Sequence, residues 1–100
     1  MLLGDLLAEI DRANAAGNSV ALLDDLVLVA RINEAAARRG MQAEAYIMAA
    51  VRRFEREASD EDWSTLISAI ARSANPGPAC LRGMVERGLK MEILSKQNAR

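Results

Sequence analysis

Breaks at Gly17, Gly40, Ser59 and Asn75-Pro76-Gly77-Pro78 divide the apolar residues of this chain into pieces of helical length, each with helical spacing. Leu3, Leu6, Leu7 and Ile10 form the first such stripe, with Asp5, Glu9 and Arg12 on the other side, which predicts a helix over residues 2–16. Gly17 can take the left-handed conformation that ends it, and Ser19 can cap the next. A second helix is expected from Val20 to Arg39. Its apolar positions, Leu22, Leu23, Leu26, Val27, Leu28, Val29 and Ile32, cover most of the circumference, so it is expected to be central. The Leu26–Ile32 run is also rich in β-branched residues and admits a strand reading. Ala35-Ala36-Ala37 and the lack of a turn signal before Gly40 favour one helix.

After Gly40, the residues Ala43, Tyr46, Ile47, Ala50, Val51 and Phe54 form the cleanest amphipathic stripe, predicting a helix to about Ala58. Ser59-Asp60-Glu61-Asp62 reads as a cap, with three carboxylates where the helix dipole favours negative charge. The helix that follows is expected to bury Trp63, Leu66, Ile67 and Ile70. Pro78 suits the first turn of a fifth helix carrying Leu81, Met84 and Val85, with Met91 and Leu94 placed to extend it beyond Gly88. The expectation is an all-α protein, a compact bundle of about five short helices. It forms a single helical domain over residues 1–95, with a frayed tail at 96–100.

Composition agrees. The chain has 100 residues, 51% of them apolar, but only Tyr46, Phe54 and Trp63 are aromatic. A core of Leu, Ile, Val, Met and Ala suits close helix packing better than a sheet. Cys80 is the single cysteine, which rules out an intramolecular disulfide and favours a reducing, cytoplasmic setting. No stretch approaches the length of a membrane span, and Met1-Leu2-Leu3-Gly4-Asp5 lacks the positive start of a secretory leader, so no membrane partner is expected.

No catalytic site is legible, and the protein is expected not to be an enzyme. Histidine is absent, which removes the commonest general base and metal ligand, and neither metal nor cofactor is expected. Cys80 reads as a small buried apolar residue rather than a nucleophile. Gly83 and Gly88 have the separation of a phosphate-binding loop, but Lys90 comes one position late and no Ser or Thr follows it. Asp60, Asp62 and Ser64 start like a calcium loop, yet Thr65 and Ala71 occupy the positions that need Gly and Glu. Asp24 and Asp25, being adjacent, point about 100° apart on a helix and cannot form a catalytic dyad.

The net charge of −1 gives no global pull towards nucleic acid, but the charge is unevenly spread. Residues 31–56 carry Arg31, Arg38, Arg39, Arg52, Arg53 and Arg56 against three acids, while residues 1–30 carry five acids and one base. Arginine suits bidentate contact with phosphate or carboxylate. Glu34 stands four residues before Arg38, however, and Glu55 adjoins the later arginines, so ordinary intrahelical pairing and a solvated face are favoured.

Residues 32–56 run Ile-Asn-Glu-Ala-Ala-Ala-Arg-Arg-Gly-Met-Gln-Ala-Glu-Ala-Tyr-Ile-Met-Ala-Ala-Val-Arg-Arg-Phe-Glu-Arg. This quarter of the chain resembles the helical part of ribbon-helix-helix DNA-binding proteins, matching at Gly40, Met41, Tyr46, Ile47, Ala50, Val51 and Phe54. The resemblance implies a helical hairpin, a dimer and DNA binding. The family reads DNA with a basic or polar strand just upstream. Here that place holds Val20-Ala-Leu-Leu-Asp-Asp-Leu26, whose two acids phosphate would repel. The expected function is therefore a helical protein–protein interaction or regulatory module, self-associating or part of an assembly. Leu3, Leu7, Ile10, Leu28, Tyr46 and Phe54 are candidates for the oligomer or partner surface. DNA binding through the 31–56 hairpin is the alternative.

Overall fold

The structure, a computed structural model, describes the backbone of residues 3–98 and the side chains of residues 3–94. It is all-α: α1 (Leu3–Ala15), α2 (Ser19–Leu23), α3 (Leu26–Arg38), α4 (Ala43–Glu57), α5 (Asp60–Arg72) and α6 (Pro76–Asn98), with no strand among the described residues. Six helices stand where about five were expected, because the second is broken in two. Of the tail placed at 96–100, residues 96–98 continue α6 and the rest lies outside the described residues.

The break falls at Asp24, whose φ of 50° and ψ of 44° are left-handed. Asp25 is extended, and its carboxylate accepts from the Leu28 amide at 3.0 Å, capping α3. The apolar period runs through this point, but two consecutive short acids offer the backbone a cap in place of a continuous helix. The cap of α2 also differs from expectation. Ser19 is the first helical residue, buried, and its hydroxyl donates to Asn14 Oδ1 at 3.2 Å. Glu44 on α4 does the capping instead, its carboxylate accepting from the Ser19 and Val20 amides at 2.9 and 3.0 Å.

The other ends follow local rules. Gly17 (φ 73°) and Gly40 (φ 67°) both close Schellman turns, in which Asn18 donates to Ala13 and Met41 to Ala36. Ser59 and Asp62 form a reciprocal capping box at the start of α5. α6 starts at Pro76 rather than at Pro78, since both prolines fit a first turn whose amides need no partner inside the helix.

The central helix is α6, not the one through Leu26. It packs against each of the other five helices and contributes Ala79, Cys80, Leu81, Met84, Val85 and Leu89 to the core. Gly83 and Gly88 permit this. A Cβ on Gly83 would meet Leu66 Cδ1 at 2.5 Å, and one on Gly88 would meet the Ala50 Cβ at 3.2 Å, so α5 and α4 lie close against α6. Around it stand Leu6, Ile10, Leu23, Leu28, Ile32, Ile47, Val51 and Phe54, with Trp63 set edge-on to Phe54 at a centroid distance of 4.9 Å. Ile67, expected inside, is exposed, while Leu66 takes the inward position on α5.

Candidate interaction surface

Besides Glu44, the α6 side chains Glu92, Arg87 and Arg82 make polar contacts between helices. Glu92 accepts from the Tyr46 hydroxyl at 2.7 Å and from Arg39 Nε at 2.9 Å, tying the end of α3 to α4 and α6. Burial, then the hydrogen bond and charge of Glu92, push the Tyr46 hydroxyl up to about 12. Arg87 grips Asp62 with two bonds of 2.9 Å. The Arg87 bonds, with the Ser59 amide, hold the Asp62 carboxyl well below the usual carboxylate range. Arg82 Nη1 donates to the Leu23 carbonyl at 3.0 Å, satisfying the last carbonyl of α2.

The six sequence-predicted arginines do not form one patch. Arg31 and Arg38 lie on α3, where Arg38 pairs with Glu34 at 2.9 Å. Arg39, Arg53 and Arg56 do come together, around a cleft of about 180 Å³ over Ala49, Ala50 and Gly88. Each of them has a carboxylate nearby, Arg39 with Glu92 and the other two with Glu57 at 3.4 and 3.8 Å. Arg52 is exposed on α4.

The predicted apolar surface is corrected in most of its members. Ile10, Leu28, Tyr46 and Phe54 are buried in the core of the single chain, and Leu3 and Leu7 are half-buried against it. The sequence shows that these residues are apolar and on helical stripes; it does not show that α6 would cover them. Among the described residues the exposed large apolar side chains are instead Leu26 (89%) and Val27 (73%), with Ile67, Ile93 and Leu94. Leu26 and Val27 are turned out because the break at Asp24 resets the helix phase, after which Leu28, Ile32 and Ala35 face inward.

Ile93 joins two clefts that flank the C-terminal half of α6. One, of about 190 Å³, lies against α3 and is lined by Arg31, Glu34, Arg38, Leu89, Glu92 and Ile93. The other is an open groove of about 860 Å³ between α5 and α6, where Leu66, Met91, Ile93 and Leu94 are flanked by Arg31, Lys90, Glu61 and Glu86. Such lining can receive apolar side chains and orient them by charge. Cys80 is fully buried, and its thiol is pushed up to about 11 by burial and by the charge of Glu9. Among the described residues no cluster of three His, Cys, Asp or Glu could hold a metal ion, and no helix is long and apolar enough to cross a membrane. No family model matches the chain, and no curated protein or solved structure is similar to it beyond chance.

Proposed function

We propose that this protein is a small non-catalytic interaction module that works by presenting the outer side of α3 and the C-terminal half of α6 to another protein chain. The observation that carries this reading is the adjacent pair Leu26 and Val27, 89% and 73% exposed. Single exposed apolar residues are ordinary. Two in sequence at the start of a helix, on a molecule that also exposes Ile93 and Leu94, form the material of a contact site.

The test compares the wild type with Leu26→Lys/Val27→Lys. The wild type is expected to associate on concentration or to enhance the fluorescence of an apolar dye, and the variant to lose both while keeping its helical circular dichroism. A wild type that does neither overturns the reading.

A nucleic-acid role is the second reading, favoured by the gathering of Arg39, Arg53 and Arg56 at one cleft. Against it stand Glu57 and Glu92, which already neutralise that cleft in part. Duplex binding that weakens steeply with salt, and is flattened by Arg52→Ala/Arg53→Ala, would move this reading ahead.

A further inference from the structure

On α3, Val27, Arg31, Glu34 and Arg38 are spaced by four, three and four residues, so they share one outward stripe beside the buried stripe of Leu28, Ile32 and Ala35. Asp24 and Asp25 stand at its N-terminal end. Read along the helix, the charges run negative, positive, negative, positive. Read backwards, they run positive, negative, positive, negative. A second copy laid parallel on this face would set like charges together. Laid antiparallel, it sets an opposite charge against every one.

We propose that the occupant of this surface is a second copy of the chain, packed antiparallel along α3 in a two-fold symmetric dimer. The proposal rests on the interaction-module reading above and names its partner. Arg31 faces Glu34 of the second copy, and Arg38 faces Asp25 of the second copy. The facing numbers sum to 65 and 63, so both pairings fit one register centred at residue 32 to within a residue. The two-fold axis repeats each pair, making four contacts from two. Arg38 engages Glu34 of its own chain through Nη1 alone, which leaves its other donors for the acid opposite. The same register sets Leu26 and Val27 of each copy opposite residues 37 and 38 of the other. They then lie beside the cleft of about 190 Å³ lined by Leu89 and Ile93. The pairing thus covers the exposed pair beside a recess in which Leu89 and Ile93 lie among Arg31, Glu34, Arg38 and Glu92, while the charge order specifies direction.

Sedimentation equilibrium of the wild type, Arg31→Glu, Glu34→Arg and the Arg31→Glu/Glu34→Arg double variant tests this. Both positions are on the surface, and circular dichroism checks that each variant is folded. The wild type is expected to dimerise, each single reversal to raise the dimer Kd tenfold or more, and the double reversal to restore it. It restores because exchanging the acid and the base sets opposite charges against each other again across the two-fold axis. Added salt should weaken the wild-type dimer. A wild type that stays monomeric but binds apolar dye overturns the second copy and leaves the interaction module standing. A dimer indifferent to both reversals yet lost in Leu26→Lys/Val27→Lys overturns the antiparallel pairing along α3 and leaves the interaction module standing. A monomer that binds no dye overturns both.

Discussion

Asp62 stands at a junction: it completes the capping box with Ser59 and also receives the bidentate grip of Arg87 from α6. Both contacts need its charge, which is why its carboxyl is held below the ordinary value of 3.8. For a group whose folded pKa is depressed, the stabilisation is fully present above the unfolded value and is lost as pH falls from there through the folded one. Acidification below about pH 4 is therefore expected to loosen the α5–α6 contact. The fluorescence of neighbouring Trp63, the only tryptophan, reports it. Asp62→Asn should be less stable than the wild type at neutral pH, and the difference should close as acid is added. A difference constant across the acid range would show that the charge of Asp62 does no work there. The capping half of this arrangement was legible from Ser59-Asp60-Glu61-Asp62. The Arg87 half was not, because no local pattern announces a partner 25 residues away. Glu44 is a similar case. It caps α2 from α4, and the nearby Ser19 looks sufficient until the fold is seen.

At the scale of elements, the stripes that face one neighbour were readable and the contacts made on several sides were not. Tyr46, Ile47, Ala50, Val51 and Phe54 are all buried as the period of α4 requires. α6 has no such clear stripe, since it meets helices on several sides, and its glycines look like stops. In the structure Gly83 and Gly88 are the places where Leu66 and Ala50 come closest. The Ala50 Cβ is fixed to the backbone and cannot swing away, so a side chain at Gly88 must push α4 and α6 apart. Gly88→Val is expected to destabilise by about 1–3 kcal/mol through overpacking, despite the gain in helix propensity, as thermal or denaturant unfolding would show. A stability equal to or above the wild type would mean that the two helices are not held at this distance. The Asp24–Asp25 break went unread because hydrophobic period is blind to it. The relevant signal is the short acid just before Leu26, a capping residue inside what otherwise looks like a continuous helix.

For the molecule as a whole, the central position of α6 makes the other five helices incomplete without it. Leu6 and Ile10 of α1, Leu23 of α2 and Leu66 of α5 share one core with Cys80, Leu81, Met84, Val85 and Leu89. A fragment of residues 1–75 is expected to keep some helical signal but no cooperative unfolding transition in denaturant, and a sharp transition would contradict this. The order of the elements then bears on synthesis. A ribosome delivers α1 to α5 before the helix against which they all pack. Until the segment from Pro76 emerges, the nascent chain carries helices that touch one another but lack the surface they share. Slow translation or an arrest before this point would leave it dependent on chaperones, whereas a chain that has released α6 can close its core.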